Sequence, residues 1–244
     1  MRVPAGGTDG PGSGKGPGVL YLVATPIGNL EDVTLRALRV LREVDWIAAE
    51  DTRRTRILLA EHGISRPIHA YHAHNEHRRL PHLLQRLREG ECGALVTDAG
   101  TPAISDPGFL LARAAHSEAI AVEVIPGPSA VLTALLASGI PCDRFCFLGY
   151  PPAKGAARRR FLASAMDERR TVVLFESPHR MVRFLEEIAS LDPARPIAVC
   201  RELTKRFEEV SRGSASQVFA LLRERAPRGE FTVVLGAAPE GKNA

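Results

Sequence analysis

The sequence predicts an α/β protein built in two halves, and three observations predict it. From Val19 onward, short β-rich runs alternate with segments of helical periodicity, the pattern of strands sandwiched between helices. A chain of 244 residues suits two compact units better than one. Around "IPCDRFCFLGYPP" (140–152) the chain makes one strand between prolines and then changes character, becoming more basic. The expected division is a flexible leader over 1–18, an N-terminal α/β domain over 19–140, a C-terminal α/β domain over 141–238 and a tail over 239–244.

"VLYLVA" opens the first half as a strand, followed by the turn "TPIGN". Leu30, Thr34, Ala37 or Leu38, Leu41 and Val44 then fall on one helical face, with Asn29 the expected N-cap. "WIAA" is the second strand, after which Asp51 or Thr52 caps a basic helix that stops before Gly63. "PIHAY" is a short third strand. "NEHRRLPHLLQRLREG" reads as a helix in which Pro81 must sit in the first turn or make a kink. "GALVTD" is the fourth strand, and Asp106 with Pro107 are the expected cap and first residue of the next helix. "AVEVI" is the fifth, and "AVLTALLAS" is an apolar helix ending at Gly139, of the kind that lies inside a core. The second half repeats the alternation with strands "RFCFLG", "TVVLFE", "PIAVCREL" and "EFTVVLG". Between them lie a basic helix from Lys154 to Met166, a helix after Ser177 and Pro178, and a helix from about Ser214 to Arg225.

Hydrophobic residues at 45% and charged residues at 25% are ordinary globular values and exclude a disordered chain. The net charge of +4 leans only mildly towards anionic partners. Cys92, Cys142, Cys146 and Cys200 form no C-x-x-C pair and are expected to be reduced. No apolar run is long enough to cross a bilayer, and the leader lacks the apolar core of a signal peptide, so a cytoplasmic protein without membrane contact is expected. The leader's "GSGKG" is not a phosphate loop, because Asp9 and Gly16 stand where that motif needs a glycine and a hydroxyl residue. His72, His74 and His77 match no familiar zinc spacing, and no metal is expected.

Three turns share one design: "ATPIGN" after the first strand, "DAGTPAISD" after the fourth and "IPGPSA" after the fifth. Ligands of open α/β sheets sit at the carboxyl ends of strands, so these loops should face one crevice. Their small residues leave room for close approach of backbone to a ligand. The first loop lacks G-x-G-x-x-G, which argues against a pyrophosphate-bearing dinucleotide.

In this order, "LVATPIGNLEDVTLRAL", "AAEDTRRT", "ALVTDAGTPAISDPG", "VIPGPSA", "FLGYPP", "LFESPHR", "CRELTKRFEE" and "GEFTVVLG" resemble the tetrapyrrole-methylase-like superfamily. Within it they resemble the bacterial enzymes that methylate the ribose 2′-hydroxyl of a decoding-region cytidine in small-subunit (16S) ribosomal RNA. The resemblance spans about residues 19–237. It implies two α/β domains with S-adenosylmethionine in the cleft between them, a homodimer, and a substrate within the small ribosomal subunit. Carried over residue by residue, it assigns Pro26, Ile27 and Gly28 of the first loop, Asp98, Gly100, Thr101, Ile104 and Ser105 of the second, Ser129 and Ala130 of the third, and Leu203 and Thr232 of the second half to the donor. Which of Asp98 and Thr101 touches it is left open. Other superfamily members methylate tetrapyrrole carbons, and a non-catalytic binding module is a third reading of the same scaffold.

A ribose hydroxyl is a poor nucleophile until its proton leaves, so a base or a cation near the developing alkoxide is expected. Glu50, Glu176 and Lys205, all near strand ends, are the catalytic candidates, with Asp51 and Glu202 beside them. Phosphate contacts are expected from Arg53, Arg54, Lys154, Arg158, Arg159, Arg160, Arg180 and Arg206. Phe147, Tyr150, Phe175 and His179 are candidate stackers for a splayed base.

Overall fold

A computed structural model describes residues 16–225 and 227–239. The leader's "GSGKG" and the end of the tail lie, apart from Gly16 and Pro239, outside the described residues.

The first half forms strands β1 (Val19–Val23), β2 (Trp46–Ala49), β3 (Ile68–Ala70), β4 (Gly93–Val96) and β5 (Ala121–Ile125). They make one sheet in the order β3-β2-β4-β1-β5, and every neighbouring pair is parallel. Helices α1 (Leu35–Glu43), α2 (Thr52–Glu61), α3 (Glu76–Arg88) and α4 (Phe109–Ser117) connect the strands. Residues of α1 and α2 pack on one face with Val23, Ile47 and Val96, and residues of α3 and α4 pack on the other with Leu20, Trp46 and Leu95. Both faces are therefore covered, as parallel sheets require.

Strands β6 (Phe145–Phe147), β7 (Thr171–Glu176), β8 (Pro196–Arg201), β9 (Glu209–Ser214) and β10 (Phe231–Leu235) form the second sheet, in the order β6-β7-β10-β8-β9. Only β6 and β7 pair in parallel; β10 runs against both β7 and β8, and β9 against β8. Helices α6 (Gly155–Asp167), α7 (Pro178–Leu191) and α8 (Ala215–Leu222) belong to this half. Ser214 caps α8 in a reciprocal box with Gln217, and Pro178 takes the first turn of α7, where a missing N–H costs nothing.

Several local expectations change. Asn29 accepts from the Glu31 amide and caps a single 3-10 turn (Leu30–Asp32), while α1 starts later behind Thr34, whose hydroxyl accepts from the Ala37 amide. Pro81 sits in the second turn of α3, not the first. The cap expected from Asp106 is absent: α4 begins at Phe109, with Gly108 before it at φ 131°. A Cβ on Gly108 would come within 2.6 Å of the Leu95 side chain, so packing and backbone both exclude a larger residue there. β9 was not expected at all.

Helix α5 (Ala130–Ser138) follows β5 yet packs on the other sheet. Val131, Ala134 and Leu135 lie against Val173, Ala198, Cys200 and Val234. Its other side is not core, since Leu132 and Leu136 are 52% and 77% exposed.

Candidate active site

All strands of the first sheet point one way, so the segments after β1, β2, β4 and β5 arrive at one edge. In the second sheet β7 and β8 both oppose β10, so their carboxyl ends and the start of β10 coincide; Phe231 pairs with both Glu176 and Arg201. The two edges meet. The Asn29 amide donates to the Thr204 hydroxyl at 3.1 Å, and a Cβ on Gly28 would lie 2.4 Å from Lys205 Cγ.

Between the edges lies a cleft of about 380 Å³, beside a hollow of about 240 Å³ with which it shares Ile27, Arg54, Asp98, Ala99 and Glu230. Of the residues carried over for the donor, Ile27, Asp98, Gly100, Thr101, Ile104, Ser129, Ala130, Leu203 and Thr232 line the cleft. Pro26 and Gly28 line the hollow. Ser105 instead turns its hydroxyl towards Gly149, 3.5 Å from where a Cβ there would sit.

The small "DAGTP" loop has a physical reason beyond admitting a ligand. Thr25 and Gly100 exchange both backbone hydrogen bonds, at 2.9 and 3.0 Å, and Thr25 Oγ1 donates to the Thr97 carbonyl at 3.1 Å. Gly100 makes this bridge at φ 78°, a conformation that favours glycine. The first and second loops are thus sewn together, and the open space falls beside Gly100.

Charge is unevenly placed around the cleft. Glu50, at the end of β2, accepts from the Thr97 hydroxyl at 3.0 Å, and Asp98 accepts from the Asp51 amide at 2.9 Å while pairing with Arg54 at 3.6 Å. Asp106 and Glu230 complete an acidic wall that the sequence alone does not reveal, because Asp-Pro before an apolar run reads as a helix cap and Glu230 as the start of a strand. Lys205 binds Glu202 and Glu230, each at 3.0 Å. Burial works against its charge, but these carboxylates prevail and hold its pKa above the usual lysine value. Lys205 is therefore a fixed cation and no proton acceptor.

Three candidates from the basic and acidic strings need correction. Arg158 is 2% exposed in its side chain, not a surface arginine: it reaches Glu187 at 2.7 Å, Glu176 at 3.2 Å and the Pro152 carbonyl at 3.1 Å. Helical phase turns it inward, while Lys154, Arg159 and Arg160 stay exposed. Glu176, with a fully buried side chain, is held by Arg158 and by Arg180 at 2.7 Å and does not line the cleft. Arg180 is drawn to the same carboxylate and to the Pro151 carbonyl, so most of its side chain is covered by the protein. This cluster anchors the "GYPP" loop, from which Tyr150 projects into the cleft, 55% exposed, with its ring 5.4 Å from Phe175. Phe147 packs edge-on against Phe175 behind it. Arg53 is exposed and pairs with Asp51 at 2.7 Å, and exposed Arg206 lies over the Phe207 ring.

The residues present suit a cationic methyl donor. Carboxylates from Glu50, Asp98, Asp106 and Glu230 face the cleft, where a positive sulfonium gains from them. Ile27, Leu203, Phe175 and Phe231 supply apolar walls for the remainder of such a molecule.

The family model of the tetrapyrrole (corrin/porphyrin) methylases matches residues 19–218. A ribosomal RNA small subunit methyltransferase I from Xylella fastidiosa is 48% identical over 227 residues, 92% of this chain and 83% of that protein. Its namesake from Thermotoga maritima is 45% identical over 218 residues, 89% of this chain and 98% of that one. Among solved structures, uroporphyrin-III-C-methyltransferase from Thermus thermophilus superposes with a TM-score of 0.65 at 24% identity, covering 90% of this chain and 94% of that one. Diphthine synthase gives 0.69 at 13% identity, covering 89% of each. These two likenesses speak for the fold, and with the family match over most of its length, this chain is a methyltransferase belonging to the tetrapyrrole (corrin/porphyrin) methylase family.

Proposed function

We propose that this protein uses S-adenosylmethionine to methylate the ribose 2′-hydroxyl of a cytidine in the decoding region of 16S ribosomal RNA, acting in the cytoplasm, as a homodimer, on the small ribosomal subunit. One observation carries the proposal: the acid-walled cleft between two sheet edges, in a chain whose relatives at 44–48% identity bear the name of a small-subunit ribosomal RNA methyltransferase. No helix among the described residues is long and apolar enough to cross a membrane.

When bound, S-adenosylmethionine supplies a methyl carbon on a positively charged sulfur. The chain supplies position and charge. Gly100 lines the donor side of the cleft without a side chain, and Ile27, Leu203 and Phe231 give it apolar walls. Alignment of nucleophile and methyl carbon alone is worth up to about 7–11 kcal/mol. In this reading Tyr150, which lines the cleft, stacks on a base turned out of the RNA, and the exposed Arg53, Arg54, Lys154, Arg159, Arg160 and Arg206 meet phosphates.

Incubation of the purified protein with methyl-labelled donor and undermethylated small subunits tests this. Label is expected in 16S RNA, at one cytidine that becomes resistant to alkaline cleavage. Label in an acidic tetrapyrrole supplied in parallel, and none in RNA, would overturn it.

A further inference from the structure

Asp106 occupies a wall of the cleft to which the donor-binding residues assign no task. It has no helix to cap, because α4 begins three residues later behind Gly108. Left-handed backbone at Ala103 and Ser105, φ 68° and 65°, and at Gly108 folds the loop back so that the carboxyl group is half-buried. The other acids of that wall are engaged: Glu50 accepts from the Thr97 hydroxyl at 3.0 Å, Asp98 accepts from the Asp51 amide at 2.9 Å and pairs with Arg54, and Glu230 binds Lys205 at 3.0 Å. Asp106 lines the same cleft, and among the described residues no cation forms an ion pair with it. Its carboxyl group is therefore the one in the wall left open to a group entering the cleft.

We propose that Asp106 is the catalytic residue that removes the proton of the ribose 2′-hydroxyl, an assignment that rests on the methyltransferase function above. As the ribose oxygen bonds to the methyl carbon, the carbon–sulfur bond breaks with its electron pair left on sulfur. The hydroxyl proton passes to the Asp106 carboxylate and afterwards to solvent. No further reactant is needed.

The groups facing Asp106 set its behaviour. Glu50 approaches from the end of β2, Asp98 from the end of β4, Glu230 from the segment before β10, and Tyr150 from the loop after β6; Arg54 of α2 stands across the cleft, paired with Asp98. Burial, followed by repulsion from Glu50, Asp98 and Glu230, pushes Asp106 up to about 6 against the opposing Thr97 hydrogen bond. A base poised near neutrality combines the right protonation state with useful driving force. Below pH 6 the group already holds a proton and cannot accept another, so turnover rises as pH passes through that value. Ionisation also adds a negative charge to the donor's site. Affinity for the sulfonium cation should climb over the same interval, while affinity for the neutral demethylated product should not.

The test compares the wild type with Asp106→Asn. Calorimetric titration with S-adenosylmethionine and with S-adenosylhomocysteine, across about pH 5 to 8, brackets the expected ionisation. Wild-type affinity for the first ligand alone should rise through pH 6, and the variant should lose that rise while still binding donor at alkaline pH. Single turnover on small subunits should slow by about 10²–10⁴-fold in the variant, the range of general base action. A variant with wild-type turnover and an unchanged acidic limb would overturn the role of Asp106 alone. So would a wild-type profile with no limb near pH 6, a measurement that needs no variant. A wild type that neither binds donor nor methylates the particle would remove the proposed function, and this role with it.

Discussion

The two sheets reach the same cleft by different routes. The parallel sheet delivers four loops to one edge, and its acids there are largely without tight cation partners: Glu50 takes a hydroxyl, Asp98 an amide and a guanidinium at 3.6 Å. The mixed sheet delivers strand ends of both directions, and its acids are bound to cations: Glu176 to Arg158 and Arg180, Glu202 to Lys205. One edge keeps most of its negative charge available to a ligand; the other ties its acids to cations, including Glu230, which lines the cleft and binds Lys205 at 3.0 Å. The contrast shows that similar strings of acids and arginines do opposite work, according to whether helical phase turns the arginine inward.

The largest effect that would break this contrast comes from Arg158→Met, which leaves Glu176 buried with part of its compensation gone. A loss of about 3–5 kcal/mol is expected in denaturant unfolding. The double variant Arg158→Met, Glu176→Leu should recover much of it, because the uncompensated charge is then removed as well. A single variant as stable as wild type would show that Arg180 suffices. In the parallel sheet the corresponding weak point is steric. Trp46 lies beside Gly93 in register, and a Cβ on Gly93 would come within 2.2 Å of the indole ring. Gly93→Ala should cost about 1–3 kcal/mol by overpacking, read as a lowered melting temperature. The smallest stability effect belongs to the exposed pair beside Arg158. Reversing Arg159 and Arg160 to Glu should change stability by no more than about 0.5 kcal/mol. It should nevertheless weaken binding to small-subunit RNA and flatten its salt dependence, measured by filter binding at several ionic strengths.

Alternation of strand and helix was legible because apolar runs such as "WIAA" and "TVVLFE" are buried on both faces and contain little else. β9 was not legible: "EVSRGS" is polar and glycine-bearing, and only pairing with β8 makes it a strand. The donor loops could be located from their small residues and order, since turn chemistry is local. Asp106 could not be placed, because Asp-Pro ahead of an apolar run is a good cap signal and only the turn at Gly108 cancels it. Arg158 was obscured for a related reason. Three consecutive arginines look alike in a string, and inward direction depends on the acids of α7 and β7 that a linear reading does not bring near.

Helix α5 is connected to one sheet and seated on the other. Cutting the gene at the apparent junction near Pro141 would leave the upstream fragment with a stranded greasy rod and the downstream fragment with an uncovered floor at Ala198 and Val234. The halves are for this reason poor candidates for separate expression, and heat or denaturant should melt them in a single step.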